Sequence, residues 1–111
     1  MHVAVVGTGW VGLTTAAVFA FLGNKVTGYD VNVRLIKELS EGRVPFYEPH
    51  LQRLVGEQLE AGRLAFTTDL AAALAPAEVI IIAVGTPLAA DGRAVELRYV
   101  GEAAREIGRH L

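Results

Sequence analysis

Apolar and polar positions along this chain fall into blocks whose period switches between strand and helix. The run His2–Val6 is short and apolar, and Gly7 ends it, which predicts a buried strand. The apolar stretch Val11–Leu22 has the length of a helix, and Gly23-Asn24 supplies its C-terminal stop. A second strand is predicted over Lys25–Tyr29. A helix follows over Val33–Ser40, with Asn32 as its N-cap, until Gly42-Arg43-Val44-Pro45 breaks it. Leu51, Leu54, Val55 and Leu59 share one face of a further helix, about Pro49–Ala61, which Gly62 closes. Leu64–Thr67 reads as a short strand. Asp69 then caps a short helix that Ala75-Pro76 stops after Leu74. Glu78–Val84 carries an unbroken apolar run and reads as a buried parallel strand. Gly85–Gly92 is a loop, and Val95–Leu111 is a last helix with Leu97, Val100, Ala104, Ile107 and Leu111 on one face.

Strands that alternate with helices pair in parallel through right-handed crossovers. The expected fold is therefore α/β: a Rossmann-like parallel sheet in the order 3-2-1-4, with flanking helices and one domain over residues 1–111. A ligand crevice should open between strands one and four at their carboxyl ends. The segments Gly7–Gly12 and Gly85-Thr86-Pro87 converge there.

The first of these segments carries chemistry. Gly7-Thr8-Gly9-Trp10-Val11-Gly12 stands between the first strand and the first helix, where a dinucleotide fold places its glycines. Gly7 permits the tight turn, Gly9 lets the backbone approach a pyrophosphate, and Gly12 lets the helix pack close to the strand. The free N–H groups at the helix start face the phosphates. Asp30, at the end of strand two, follows Gly12 by 18 residues, near the roughly 20 at which a carboxylate meets the ribose diol. That carboxylate would repel a 2′-phosphate, so NAD is expected over NADP.

Composition narrows the class. The chain has 111 residues, 52% of them hydrophobic and 20% charged, enough to fold around one core. A net charge of −2 without a basic stripe argues against nucleic acid. No apolar stretch approaches the roughly 20 residues that cross a bilayer, and no basic-then-apolar leader opens the sequence. The expectation is a cytoplasmic protein with no membrane partner. Cys is absent, which excludes disulfides, thiolate metal sites and a Cys nucleophile within this sequence. His2, His50 and His110 are scattered without ligand spacing. Ser40 has no His near it in sequence, which leaves a hydrolase without support. Tyr47-Glu48-Pro49 reads first as a helix start, with Pro in the first turn and Glu48 near the positive end of the dipole.

Five stretches together resemble the UDP-glucose/GDP-mannose 6-dehydrogenase family, nearest its UDP-glucose 6-dehydrogenases. They are Val5–Leu13, Val44-Pro45-Phe46-Tyr47-Glu48-Pro49, Gly62–Asp69, Ile82-Ala83-Val84-Gly85-Thr86-Pro87 and Asp91–Val100. They span the chain in order, and the Tyr-Glu-Pro and Gly-Thr-Pro stretches discriminate more sharply than the glycines. The resemblance implies oxidation of the 6-hydroxymethyl of a nucleotide sugar to a carboxylate with NAD. It also implies a catalytic Cys in a segment beyond position 111, so this sequence looks like the first part of such an enzyme. It further implies NAD contacts from Gly7, Gly9, Trp10, Val11, Gly12, Asp30 and Thr86.

Two positions depart from the family pattern. Trp10 stands for the usual Tyr, an aromatic exchange expected to keep the packing. Leu35 stands where members carry Lys or Arg, and Arg34 sits one residue earlier, turned by about 100° on a helix. Arg34 is retained as a contact at the adenosine end. In the family a fifth strand pairs with Val79–Val84; without it this apolar run is an edge expected to drive self-association. Two other readings stay open: a different NAD enzyme of the hydroxyacyl or hydroxyacid type, and a stand-alone nucleotide-binding module.

Overall fold

The computed structural model describes residues 1–46, 48–84 and 98–110, and the elements below are drawn from these. They run β1 (His2–Val6), α1 (Trp10–Phe21), β2 (Lys25–Tyr29), α2 (Val33–Ser40), α3 (Pro49–Glu60), β3 (Leu64–Thr67), α4 (Leu70–Leu74), β4 (Val79–Ile82) and α5 (Arg98–Arg109). The sheet order is β3-β2-β1-β4, with every pairing parallel. The expected order and the expected alternation of strand and helix are both present.

The pleat of β1 divides the core in two. Val3 and Val5 face one side, where α1, α2 and α3 pack with Leu13, Leu39 and Val55 fully buried. Ala4 and Val6 face the other side, against Leu70 and Leu74 of α4 and Ile107 of α5. Both faces of β1 are therefore apolar, as a central parallel strand requires.

Local signals explain the helix boundaries. Asn32 Oδ1 accepts from the Leu35 N–H at 3.1 Å, and Asp69 Oδ1 accepts from Ala72 N–H at 3.2 Å, so both predicted N-caps are made. Glu48 caps α3 by accepting from His50 N–H, with Pro49 in the first turn. Three helices end alike. After α1, Gly23 N–H donates to the Ala20 carbonyl and Asn24 N–H to that of Phe19, with Gly23 at φ +102°. Gly42 and Gly62 close α2 and α3 by the same pair of bonds.

One expectation needs correcting. β4 is not a buried strand: Val79 is 39% exposed and Ile82 37%. Among the described residues β4 pairs with β1 alone, so it stands at the sheet's edge as the expected order 3-2-1-4 places it, and its composition overstated its burial. The loop Gly85–Gly92, Tyr47 and the ends of the predicted last helix, Val95–Leu97 and Leu111, lie outside the described residues.

Candidate functional site

The site grows from the two turns that follow β1 and β2. Gly7 leaves β1 at φ +105°, a backbone state that other residues avoid, and its N–H donates to the Tyr29 carbonyl at 2.8 Å. A Cβ at Gly7 would lie 2.7 Å from the Ala83 backbone, so this turn is pressed against the chain leaving β4. A Cβ at Gly12 would lie 1.8 Å from the Gly7 carbonyl oxygen, which shows how closely α1 sits on the turn. Gly9 differs: nothing lies within 4 Å of its Cβ position. Two glycines are thus required by packing, and the third leaves open space over the backbone.

That open space faces the start of α1. Gly9 is the N-cap and offers no side-chain acceptor, and the first turn carries no acidic residue. The N–H groups of the first turn therefore keep their capacity to donate, with the positive end of the helix behind them. An anionic diphosphate matches this donor set.

Asp30 follows β2 and holds the two turns together. Its Oδ2 accepts from Thr8 N–H at 2.9 Å and from Thr8 Oγ1 at 3.2 Å. Its Oδ1 accepts from Asn32 N–H at 3.0 Å. Thr8 is fully buried, and the sequence reading passed over it. In sequence it is only a small hydroxyl residue between two glycines of the fingerprint, and its partner Asp30 lies 22 residues away. Asp30 keeps acceptor capacity beyond these bonds, since a carboxylate has about four lone-pair sites. Gly28 lets the turns meet, because a Cβ there would lie 3.1 Å from Thr8 Cγ2 and 2.8 Å from Phe66 Cδ1.

A crevice of about 1190 Å³ opens where these pieces converge, at the carboxyl ends of the strands. Gly7, Gly9, Trp10 and Val11 line it from the first turn, and Asp30 from the second. Beyond Asp30 its walls are Val31, Leu35 of α2 and Leu70 of α4. Glu102, Ala103 and Glu106 of α5 close the far side. Burial pushes the Tyr29 phenol above its ordinary range, and the charges of Asp30 and Glu106 add to that.

Most of the predicted site residues are brought together here, with two departures. Trp10 is 63% exposed on the crevice rim, so its ring is not a packing element of the core. It is the first residue of α1. Arg34 is exposed and outside the crevice lining, whereas Leu35 is part of it. Thr86 lies outside the described residues.

A strand, a glycine turn, a helix start and an acidic strand end around a crevice at the point where strand order reverses define a dinucleotide-binding domain. Comparison with known proteins narrows this further. The sequence profile of the UDP-glucose/GDP-mannose dehydrogenase family, NAD binding domain, matches residues 1–111. The chain is 45% identical to the UDP-glucose 6-dehydrogenase of Pseudomonas aeruginosa over 111 residues, which is 100% of this chain and 24% of that protein. It is also 45% identical to the UDP-glucose 6-dehydrogenase TuaD of Bacillus subtilis, over 98% of this chain and 23% of that one. A 1.55 Å crystal structure of a ternary complex of GDP-mannose dehydrogenase from Pseudomonas aeruginosa matches with a TM-score of 0.94 at 34% identity, covering 99% of this chain and 25% of that one. A UDP-glucose dehydrogenase from the hyperthermophilic archaeon Pyrobaculum islandicum matches with a TM-score of 0.92 at 45% identity, covering 98% and 25%. The chain belongs to the UDP-glucose/GDP-mannose dehydrogenase family and corresponds to its NAD binding domain. It spans about a quarter of the length of these relatives.

Proposed function

We propose that residues 1–111 form the cofactor-binding unit of a UDP-glucose 6-dehydrogenase that acts in the cytoplasm. The observation that carries this reading is the pairing of 45% identity along the whole chain with a glycine turn, Asp30 and a helix start that meet in one crevice. The N–H groups of Trp10, Val11 and Gly12 receive the pyrophosphate, and the open face of Gly9 lets it approach. Asp30 accepts from the adenosine ribose while Thr8 fixes its carboxylate. Thr86 adds a contact from the segment that follows β4, and Leu35 rather than Arg34 lines the crevice at the adenosine end. Bound NAD supplies the hydride acceptor for oxidation of an alcohol. The sugar site and the thiolate nucleophile belong to other segments, since this chain has no Cys. The exposed edge of β4 is the surface through which copies of this chain associate.

A chimera tests the assignment. In it, the matching 111 residues of the Pseudomonas aeruginosa relative are replaced by this chain. The chimera is expected to form NADH from UDP-glucose, and this chain alone to form none. A folded chimera that binds NAD but oxidises no UDP-glucose, or NADH formation by the isolated chain, would contradict the reading.

A further inference from the structure

The glycine turn and Asp30 account for the diphosphate and the ribose, but not for the base. On the proposed pose, with the pyrophosphate at the start of α1 and the ribose at Asp30, the base extends past Asp30 into the part of the crevice whose apolar lining residues are Val31, Leu35, Leu70 and Ala103. Apolar walls of this kind accept the faces of any flat ring and do not tell one purine from another.

The polar groups at that end do discriminate. Asn32 is committed, with its Oδ1 capping α2. Glu102 and Glu106 stand on the crevice side of α5, one helical turn apart. Glu106 is the half-buried one. Its Oε2 pairs with Arg109, and His110 Nε2 lies 3.9 Å from its Oε1. The carboxylate is thus tethered on its own helix while its charge reaches Tyr29, the neighbour of Asp30.

An ionised carboxylate accepts hydrogen bonds and donates none. Along the outer edge of adenine the one donor is the 6-amino group, flanked by ring nitrogens that accept. We propose that Glu106 accepts a hydrogen bond from the adenine 6-amino group and so selects the base of the cofactor. This rests on the NAD pose given above. Hypoxanthine places an acceptor oxygen at that position, and its N1–H lies one ring atom away, out of register.

Isothermal titration with NAD and with nicotinamide hypoxanthine dinucleotide tests the assignment. The unmodified chain should bind NAD at least about tenfold more tightly, the scale of one hydrogen bond to a charged group. Glu106→Gln offers both an acceptor and a donor, so the ratio should fall to within about twofold, chiefly through tighter binding of the hypoxanthine analogue. Glu106→Leu should weaken NAD and leave the analogue unchanged or tighter. Glu102→Gln should leave the ratio as it is. Loss of the exposed Arg109 pair would affect both dinucleotides alike, so a changed ratio separates recognition from structure. An unchanged preference in both Glu106 variants would overturn the inference while leaving the NAD pose intact. Absence of NAD binding to the unmodified chain would overturn the pose and the inference together.

Discussion

β1 and β4 lie side by side, in register from Val3 against Val79 to Val6 against Ile82. Both are short apolar runs rich in β-branched residues. Val5 is fully buried, whereas Val79 is 39% exposed. β1 has a strand on each side and helices over both faces. β4 has one strand neighbour among the described residues, and only Ile81 and Ile80 pack into the two core clusters. The composition of a strand tells what it tolerates; its neighbours decide what it buries. The crevice sits between this sealed centre and this open edge.

The sharpest way to break the sealed side is Gly12→Ala. Its Cβ would meet the Gly7 carbonyl oxygen at 1.8 Å, and backbone must move to relieve that. The expected cost is on the order of 4 kcal/mol or more, enough to threaten folding. Urea unfolding followed by circular dichroism measures it. Gly9→Ala is the partner test, since its Cβ enters open space. It should change stability by less than about 1 kcal/mol and still weaken NAD binding by obstructing the approach of the pyrophosphate. Equal losses of stability at the two positions would contradict the division of labour between packing and approach.

Truncation compares the two strands directly. Val5→Ala should cost about 2–3 kcal/mol, because it leaves a cavity that the fully buried surroundings close only in part. Ile82→Ala, at 37% exposure, should cost about 1 kcal/mol or less. If the two losses were the same, β4 would be covered in solution.

Ile82→Lys sharpens the edge itself, with the smallest expected effect on folding. Ile81 packs against the core shared with α1–α3, so a Lys there would disturb the interior. Ile82 is the exposed position. Light scattering should show self-association of the unmodified chain and its reduction in the variant, since edge charges oppose strand addition. A unmodified chain that stays monomeric at high micromolar concentration would contradict the edge pairing.

The same contrast marks how far the sequence could be read. β2, α2 and β3 fall where the pattern predicts them, because Gly, Asn and Asp at their ends fix local geometry. Gly7, Gly9, Gly12 and Asp30 were legible because each answers a local need of the turn it occupies. The edge position of β4 was legible in the strand order, whereas its exposure was not legible in its composition, because Val-Ile-Ile-Ile reads alike at the centre and at the edge. Thr8 depends on a partner 22 residues away, and Glu106 on the packing of α5 across the sheet. Neither relation leaves a local mark. Trp10 opens α1 one residue before the predicted start, and its 63% exposure was not legible from an aromatic residue inside the fingerprint.

That exposed ring supplies the most direct test of the account. Trp10 is the single tryptophan of the chain and stands on the crevice rim at 63% exposure. Titration with NAD should change its fluorescence in a saturable way, and NADP should require at least about tenfold higher concentration for the same change. Asp30→Asn, which removes the charge facing a 2′-phosphate, should narrow that gap. A tryptophan signal that NAD leaves unchanged, or that NAD and NADP change at equal concentrations, would contradict the claim that this crevice holds NAD through its glycine turn and Asp30.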